Sequence, residues 1–399
     1  MMKPRILIAM HYMELGGAES ALLGLLQAHD PQKADIDLFL YDHVGELMQY
    51  IPNTVNLLPK VEAYSMLERP ISELLRKGYW GVAWGRILAK YFAKQEQNSN
   101  KENLDDISAY YYIAKYVNPF LPKINPSVEY DLAISFLQPH HYVLKKVRAH
   151  KKLAWLHTDY SRVYVSKKEE SVWSQYDYIA AISTEVGHSF VHRFPNLDSK
   201  ILPIENILSS QFIRQRANER DVSLPGSGIR LLTIGRYSYP KKLEDIPVMT
   251  AKLKRNFPDL KWYIIGYGNP EEENKIKVNI TKEGVQDSVI LLGKKSNPYP
   301  YINACDVYVQ PSRYEGKSIT VREAQILCKP VIVTAYPTAP SQIQDGVDGV
   351  IVPLDIELCV DAMSSFLKNK EKQAKIAKYL SEHDYGNETE TNKIYQLAR

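Results

Sequence analysis

Short apolar runs alternate with amphipathic stretches of helical length along most of this chain, and that alternation limits its fold more than any other feature. Many of the runs are apolar throughout, as in strands that are buried on both faces. Such runs, separated by stretches like residues 19–28, 243–256 and 319–328, predict an α/β protein with parallel sheets covered by helices. The predicted strands are residues 5–10, 36–41, 132–136, 153–156, 178–182, 200–202, 230–234, 262–265, 289–292, 307–310, 331–334 and 350–352.

The length of the chain fits two such domains. Its 399 residues exceed the roughly 100–200 residues of an ordinary domain. Charged residues give way at 218–228 to Ser-Leu-Pro-Gly-Ser-Gly, a composition typical of a linker. We predict a first doubly wound domain over residues 1–206, completed by residues 385–399, and a second over residues 207–384. A ligand site is then expected in a cleft between them, at the carboxyl ends of the strands.

Composition and charge exclude several classes of protein. A hydrophobic fraction of 45% excludes a disordered chain, and a net charge of +4 is too small for a general nucleic-acid binder. No apolar run has the roughly 18 residues that a transmembrane helix needs. Cys305, Cys328 and Cys359 form no Cys-x-x-Cys pair, so neither a disulfide scaffold nor a cysteine zinc site is expected. His11 and Glu14 interrupt the first apolar run, which favours a strand over a signal peptide and therefore a cytoplasmic protein.

Residues 61–126 break the alternation and are typical of a helical insertion in the first domain. Within them, the stretch from Arg69 to Lys94 has six basic residues and one acidic residue, interleaved with Tyr and Trp. One interpretation is peripheral contact with the inner face of the cell membrane, and the other is a solvated helix whose aromatic residues pack on the domain. Gly78, Gly81 and Gly85 argue against one continuous helix here. No RNA or DNA module accompanies the stretch, so no nucleic-acid partner is expected.

The loop after the first strand is a candidate phosphate site. Gly16 and Gly17 stand between this strand and a helix, where glycines let the backbone approach a phosphate and the helix start offers N–H groups. The loop does not match Gly-x-Gly-x-x-Gly, so a nicotinamide-type fingerprint is not supported. A simple tight turn is an equal interpretation of the glycine pair.

Cationic residues follow the strand at 230–234. Arg236 comes directly after Gly235, and Lys241 and Lys242 come shortly afterwards. Arginine supplies a fork for phosphate oxygens and lysine a mobile point charge, whereas lysines are electrostatically unfavourable at a helix start. The pattern therefore favours an anionic ligand over a surface charge cluster.

The segment after the strand at 307–310 has the most specific pattern in the chain. Glu315 lies in a strand-to-helix loop and Glu323 lies within the following helix, so both carboxylates can accept hydrogen bonds from ligand hydroxyls. The backbone N–H groups of residues 316–319 lie at a helix N-terminus, which suits an anion. The combination indicates a polyhydroxylated ligand that carries phosphate, and solvated glutamates are the alternative.

A histidine ends another strand-type run. His157 follows the run at 153–156, and Asp159 comes two residues later. A His and an Asp in a cleft can act as general acid and base, and a structural histidine at a strand end is the alternative. The sequence contains no His-Glu-x-x-His pattern, and no metal site is expected.

These residues together resemble a known family. Residues from about 230 to 354 are similar to the retaining glycosyltransferases of family 4, glycosyl transferases group 1. This similarity is carried by Gly235-Arg236 with Lys241, Leu291-Leu292-Gly293, Asp306, Glu315-x7-Glu323, Pro330-Val331-Ile332 and Asp345-Gly346-x-x-Gly349. The first half is similar more loosely, through Gly16-Gly17-Ala18-Glu19, His157-Thr158-Asp159-Tyr160, Ser183 and Asn206. The resemblance implies the GT-B fold, in which two Rossmann-like domains, one for the acceptor and one for the donor, face each other across a cleft.

The resemblance also implies roles for single residues. Arg236 and Lys241 match the pair that holds the donor pyrophosphate. Glu323 matches the carboxylate that accepts hydrogen bonds from the ribose, and Glu315 matches the one near the hydroxyls of the donor sugar. With His157, which matches the histidine near the transferred sugar, Arg236, Lys241 and Glu315 form the expected catalytic set.

Further donor-site residues follow from the same match. Gly17 matches the glycine that faces the phosphates, and Lys294 falls where backbone groups meet the nucleobase. Lys242 and Cys328-Lys329 depart from the family, which commonly has glycine at these positions. The expected donor-binding set is Gly16, Gly17, Arg236, Lys241, Gly293, Lys294, Glu315, Gly316, Lys317, Ser318 and Glu323.

The implied activity is metal-independent transfer of a hexosyl-type sugar, with retention, from a nucleotide-diphosphate sugar to an acceptor hydroxyl. The donor, in the first place a UDP-sugar, is a co-substrate, and no cofactor is expected. The acceptor is expected to be a saccharide or lipid-linked saccharide in bacterial capsule, exopolysaccharide or other cell-surface polysaccharide synthesis. Two alternatives stay open: a non-catalytic nucleotide-sugar-binding subunit of a glycosyltransferase complex, and another GT-B enzyme such as an epimerase or a phosphorylase.

Overall fold

Two wholly parallel sheets, each in its own unit, organise this protein. The structure is a computed structural model that describes residues 3–99 and 105–399. The chain divides into unit 1, which holds Met1–Ile207 and Glu388–Arg399, and unit 2, which holds Leu208–Asn387. The boundaries predicted from sequence, between residues 206 and 207 and between residues 384 and 385, differ from this division by one and three residues.

Unit 1 contains a large sheet and a short separate ladder. Its strands are β1 Arg5–Met10, β2 Asp35–Leu40, β3 Asn56–Leu57, β4 Asp105–Asp106, β5 Tyr130–Ser135, β6 Ala149–Leu156, β7 Val163–Tyr164, β8 Tyr178–Ala181 and β9 Ile201–Pro203. Seven of them form a sheet in the order β3-β2-β1-β5-β6-β8-β9, and β4 pairs with β7. Ile6 to Met10 of β1 are fully buried, which explains why this central strand is apolar throughout.

Unit 2 contains a six-stranded sheet. Its strands are β10 Arg230–Ile234, β11 Lys261–Ile265, β12 Val289–Gly293, β13 Val307–Gln310, β14 Val331–Thr334 and β15 Val350–Val352, in the order β12-β11-β10-β13-β14-β15. The chain continues from β10 to β11 on one side and later returns to place β13 on the other. The strand order therefore reverses between β10 and β13, and such a switch point leaves a crevice at the carboxyl ends of the two strands. Unit 1 has the same reversal between β1 and β5.

Helices connect the strands in both units. They are α1 Gly17–Gln27, α2 Glu62–Ser65, α3 Ile71–Arg76, α4 Trp80–Ser99, α5 Ala109–Val117, α6 His141–Lys146, α7 Glu170–Trp173, α8 Thr184–Arg193, α9 Ser210–Ala217, α10 Ile246–Leu253, α11 Pro270–Lys282, α12 Tyr299–Ala304, α13 Ile319–Ile326, α14 Ile356–Lys368, α15 Lys370–Glu382 and α16 Thr391–Leu397. The last helix belongs to unit 1, where the buried Tyr395 hydroxyl lies 3.0 Å from His29 Nδ1. Within the described residues, no helix is long and apolar enough to cross a bilayer.

The expectation that glycines interrupt this helical stretch is confirmed at Gly78, which lies between α3 and α4 with a φ of 81°, and is wrong at Gly81 and Gly85. Helix α4 runs without a break from Trp80 to Ser99. A Cβ atom on Gly85 would lie 2.6 Å from the carbonyl oxygen of Tyr116 on α5, and one on Gly81 would collide with the ring of Phe120. These glycines therefore let α4 and α5 approach closely, and that packing outweighs their low helix propensity.

Both departures from the family's glycines lie in left-handed backbone. Lys242 has a φ of 54° and Cys328 a φ of 56°. Cys328 follows the last turn of α13, where the N–H of Lys329 donates to the carbonyl of Ala324 at 2.9 Å. This is the position after a helix at which glycine is favoured, because a Cβ atom strains left-handed backbone.

We predict that Cys328→Gly unfolds at higher denaturant concentration than Cys328→Ala. Both variants remove the thiol, but only glycine relieves the strained backbone, so the difference in free energy of unfolding should be roughly 1 kcal/mol. Chemical unfolding followed by circular dichroism measures it. Equal midpoints for the two variants would contradict this account of the position.

Candidate functional site

Glycines line the carboxyl edge of the second sheet beside the switch point. Gly235 follows β10, Gly266 and Gly268 follow β11, and Gly293 ends β12 with a φ of 69°. A Cβ atom on Gly266 would collide with the carbonyl oxygen of Gly235, so these loops touch backbone to backbone. The sequence interpretation missed Gly266 and Gly268, although the signal was present as Gly-Tyr-Gly directly after an apolar strand. The edge can therefore admit a ligand close to the main chain.

The two predicted phosphate-binding cations both lie at this edge. Arg236 is exposed, and among the residues that the structure describes its guanidinium has no ion-pair partner. The side chain of Lys241 passes over Gly235, where a Cβ atom would stand 3.6 Å from it. Lys241 Nζ then donates to both carboxylate oxygens of Glu315, at 2.7 and 2.8 Å. The structure thus brings Lys241 and Glu315, which were assigned to different parts of a ligand, into direct contact.

Glu315 is held by a buried polar network. Ser312 Oγ donates to its Oε1 at 2.6 Å, and Gln310 Nε2 donates to the same oxygen at 3.0 Å. Gln310 and Ser312 are fully buried, and the hydroxyl of Thr338 donates to the Glu315 carbonyl at 2.9 Å. Sequence reasoning nominated neither Gln310 nor Ser312, since a polar residue in a strand has no distinctive pattern. The network fixes the carboxylate in one orientation.

The backbone N–H of Ser318, one of the expected anion contacts, already donates a hydrogen bond within the protein. Ser318 precedes α13, and its N–H donates to the side-chain oxygen of Gln342 at 3.0 Å, while Gln342 Nε2 donates back to the Ser318 carbonyl at 2.6 Å. The Ser318 N–H is therefore hydrogen-bonded within the protein, and a ligand would have to displace Gln342 to reach it. The Ser318 hydroxyl does not cap the helix and lies 3.1 Å from Thr320 Oγ1. Gly316 and Lys317 remain the loop residues that precede this helix start.

Glu323 lies on α13 away from the ion pair of Lys241. It is 3% exposed, and Tyr299 donates its hydroxyl hydrogen to Oε1 at 3.0 Å. Burial raises the pKa of Glu323 to about 7, against the opposing effect of the Tyr299 hydrogen bond. The carboxyl is thus balanced between neutral and ionised forms near neutral pH, where an added hydrogen-bond donor would favour ionisation.

The two other lysines of this edge have different surroundings. Lys242 Nζ donates to the Leu354 carbonyl at 2.7 Å and lies 3.3 Å from Asp245, so the expectation that Lys242 adds charge to the ligand site is wrong. Lys294 follows Gly293, and its Nζ stands 4.9 Å from the centre of the Tyr267 ring. A half-exposed ring and a cation therefore flank the glycine loops after β11 and β12.

Unit 1 carries its predicted residues at its own switch point. Gly16 caps α1 and Gly17 is the first helical residue, and a Cβ atom on Gly17 would meet nothing within 4 Å. His157 directly follows β6, and its ring centre lies 4.8 Å from that of Phe136. Burial lowers the pKa of His157 to about 4, so the imidazole is neutral. Asp159 accepts hydrogen bonds from Ser161, at 2.7 Å from the hydroxyl, and the structure places no bond between Asp159 and His157.

Sequence reasoning missed a group of histidines around His157. His11 follows β1 and His140 follows β5, so the three imidazoles lie at the ends of three adjacent strands. The Nε2 atoms of His11, His140 and His157 are buried without a hydrogen-bond partner among the described residues. Burial lowers the pKa of each. Within residues 3–99 and 105–399, no three His, Cys, Asp or Glu side chains are arranged to hold a metal ion.

A buried carboxyl lies beside this group. Glu169 accepts hydrogen bonds from Gln138 Nε2 at 3.0 Å and from Trp173 Nε1 at 3.3 Å. Burial raises the pKa of Glu169 to about 8. Glu169, Gln138, His140, Trp173 and Tyr110 line a narrow pocket in unit 1. The space between these side chains is about that of one water molecule.

Part of the chain matches a known family. Residues 215–383 match the family model described as glycosyl transferases group 1. Over 174 residues, 42% of each chain, the protein is 27% identical to an uncharacterized glycosyltransferase of Methanocaldococcus jannaschii. Over 168 residues, 42% of this chain and 44% of the other, it is 28% identical to the N-acetylgalactosamine-N,N'-diacetylbacillosaminyl-diphospho-undecaprenol 4-alpha-N-acetylgalactosaminyltransferase of Campylobacter jejuni. The matches thus span less than half the length of these relatives.

The fold is similar over the whole length to that of solved structures. The crystal structure of Alr3699/HepE from Anabaena in complex with UDP matches with a TM-score of 0.63 and 16% identity, and the match covers 99% of both chains. With the two parallel-sheet units, this similarity shows that the chain has the GT-B fold, as predicted.

We predict that Glu323→Gln stabilises unit 2 only at higher pH. Between pH 4.5 and the folded-state pKa of about 7, the folded chain holds a proton that the unfolded chain has lost, so stability falls as pH rises. A glutamine side chain does not ionise, so the variant avoids this fall in stability. The gain in free energy of unfolding should be small below pH 4.5 and reach at most about 3 kcal/mol above pH 7.

Urea unfolding at both ends of this pH window measures the gain. Glu382→Gln, at an exposed position at the end of α15, is the matched control and should leave stability unchanged at both pH values. The same gain for Glu323→Gln at low and high pH would show that ionisation of Glu323 is not its cause.

Proposed function

We propose that this protein is a retaining glycosyltransferase, which moves a hexosyl-type sugar from a nucleotide-diphosphate sugar, in the first place a UDP-sugar, to an acceptor hydroxyl. The observation that carries the proposal is the group of Arg236, Lys241, Glu315 and the α13 N-terminus at the switch point of the second sheet. This group falls inside the region that matches glycosyl transferases group 1. The HepE structure of the same fold contains UDP.

The phosphates are proposed to bind between Arg236 and Lys241. Arg236 is exposed and without an ion-pair partner among the described residues, so it can take a phosphate at little cost. Lys241 must share its ammonium between Glu315 and the phosphates, because both carboxylate oxygens hold it in the absence of a ligand. Two cations and the N–H groups that precede α13 stabilise the negative charge of a leaving diphosphate, and the proposed mechanism needs no metal ion.

The hydroxyl groups of the donor are proposed to meet the two carboxylates. Glu315 is oriented by Ser312 and Gln310, so its remaining lone pairs can accept hydrogen bonds from the donor sugar. Glu323 is proposed to accept from the ribose, which would favour its ionised form and shift its pKa downward. Gly293, Lys294, Gly316 and Lys317 are proposed to complete the site with backbone contacts, as is Ser318 if the donor displaces Gln342.

In unit 1, Gly16 and Gly17 are proposed to approach the donor phosphates. His157 is proposed to lie near the transferred sugar. His157 is neutral, so it can donate or accept one hydrogen bond to a sugar hydroxyl without adding charge. No carboxylate bonds to it, so we assign it a positioning role near the reacting atoms and name no protein nucleophile. Attack by the acceptor on the same face as the leaving diphosphate accounts for retention.

The acceptor is proposed to be a saccharide or lipid-linked saccharide in bacterial cell-surface polysaccharide synthesis. The Campylobacter jejuni relative supports this class, because its name describes a diphospho-undecaprenol acceptor. An acceptor of this kind would place the protein at the inner face of the cell membrane.

Removing Arg236 tests the donor site. Arg236→Ala should weaken UDP binding by about 10- to 100-fold, because charge-assisted hydrogen bonds contribute roughly 1.5–3 kcal/mol. Isothermal titration calorimetry with UDP measures the affinity. The matched control is Lys242→Ala, which removes a neighbouring cation whose ammonium is bound to the Leu354 carbonyl and Asp245. It should leave the affinity unchanged, and an equal loss in both variants would contradict the assignment.

A further inference from the structure

Helix α4 exposes a row of large apolar side chains. Trp80, Trp84, Ile87, Leu88 and Tyr91 recur at spacings of three and four residues, which places them on one face of the helix. Their exposed fractions lie between 42% and 61%. We call these five residues the α4 patch. A surface helix ordinarily exposes charged and polar side chains, so a row of this kind marks an interaction surface.

The α4 patch cannot be buried by a rotation of the helix. The opposite face is packed, because Val82, Ala83 and Ala89 are buried and Gly85 lies against the backbone of Tyr116. Turning the patch inward would drive Trp and Tyr side chains into a space that admits only small residues. The row is therefore exposed by the packing of unit 1 itself.

The surroundings of the patch are positively charged. Arg76, Lys90 and Lys94 are exposed, and none of them has an ion-pair partner among the described residues. Glu96 is the acidic residue of α4, and its carboxylate accepts a hydrogen bond from Lys168 at 3.1 Å and is largely buried. Exposed cations beside exposed aromatic rings are the chemistry that recognises an anionic lipid surface.

The packed face of α4, opposite the patch, is linked to the predicted acceptor side. Arg86 lies on α4, and its guanidinium donates to the carbonyl of Arg69 and interacts electrostatically with Glu68. Glu68 in turn lies 3.7 Å from Nδ1 of His11, the first residue after β1. The helix that carries the patch is thus one side chain removed from the carboxyl edge of the unit 1 sheet.

We propose that the α4 patch inserts into the headgroup region of an anionic bilayer and holds the carboxyl edge of the unit 1 sheet next to the lipid headgroups. This proposal rests on the proposed function, since it explains how an acceptor attached to a lipid would reach that edge. A second copy of the chain is a poorer occupant. Pairing two such patches would bring Arg76, Lys90 and Lys94 of both copies together, and like charges oppose that contact.

The tryptophans provide a direct signal for insertion. Trp155, Trp173 and Trp262 are fully buried, whereas Trp80 and Trp84 are 60% and 61% exposed. A blue shift of tryptophan emission on adding vesicles therefore reports insertion of Trp80 and Trp84 of the α4 patch into the bilayer. We expect the full chain, without nucleotide, to float with vesicles of phosphatidylglycerol and phosphatidylcholine and not with phosphatidylcholine alone. Emission should shift to the blue and be quenched by brominated lipid.

Substitutions separate the patch from its alternatives. The triple variant Trp80→Ser, Trp84→Ser and Tyr91→Ser should lower partitioning into the anionic vesicles about tenfold or more, and Lys90→Glu with Lys94→Glu should lower it too. Leu358→Ser is the matched control, since Leu358 is 58% exposed in unit 2 and should not affect partitioning.

Two results would overturn the proposal. One is failure of the unmodified chain to float, or equal flotation of the triple variant. The other is a dimer in light scattering that the triple variant dissociates, which would assign the patch to a second copy. UDP binding is measured on the same samples, and the triple variant should retain it. Absence of UDP binding in the unmodified chain would instead count against the proposed function and leave the flotation result standing.

Discussion

The hydrogen-bonded ion pair between Lys241 and Glu315 is the constraint on which the candidate site of unit 2 depends. It joins the loop after β10 to the loop after β13, the two strands between which the sheet order reverses. Such a pair is stable in a largely buried place only with further hydrogen bonds, and Ser312 and Gln310 both donate to Oε1 of Glu315. A donor that carries both phosphate and hydroxyl groups can bind without breaking the pair, because its phosphate can share the Lys241 ammonium while its hydroxyls donate to Glu315.

Parallel topology explains why the chemistry of both units collects at similar places. Each sheet reverses its order once, at β1 and β5 in unit 1 and at β10 and β13 in unit 2. Loops diverge at these points, so side chains from separate parts of the chain meet there. In unit 2 the result is cationic and glycine-rich, whereas in unit 1 it contains neutral histidines and the high-pKa carboxyl of Glu169. The proposed division between an anionic donor and a hydroxylated acceptor follows this difference in charge.

Much of the fold could be predicted from sequence because a buried parallel strand has an apolar run that few other structures share. The runs at β1, β10 and β13 match the observed strands residue for residue. The two-residue strands β3, β4 and β7 were not predicted, because two residues carry no pattern. The continuity of α4 was missed because helix propensity is local, whereas the value of Gly85 lies in its contact with Tyr116, which is distant in sequence.

The site was predictable where charge and spacing follow a strand end, as with Arg236, Lys241 and Glu315. The role of Gln342 at Ser318 could not be foreseen, because it depends on a side chain 24 residues further along the chain. Charge and spacing alone did not separate Lys241 from Lys242, although the resemblance assigned a role only to Lys241. Only the left-handed backbone at Lys242 directs the two neighbouring ammonium groups to different partners.

The most direct test of the proposed function is sugar transfer itself. The purified chain would be incubated in EDTA with UDP-, GDP- and dTDP-sugars and saccharide acceptors, and release of nucleotide diphosphate and the anomeric configuration of the product would be followed by NMR. The account predicts turnover with a nucleotide-diphosphate sugar, most readily a UDP-sugar, and a product with the configuration of the donor. Turnover only with added Mn²⁺, or a product of inverted configuration, would contradict the mechanism, and no turnover or donor hydrolysis with any nucleotide sugar would contradict the function.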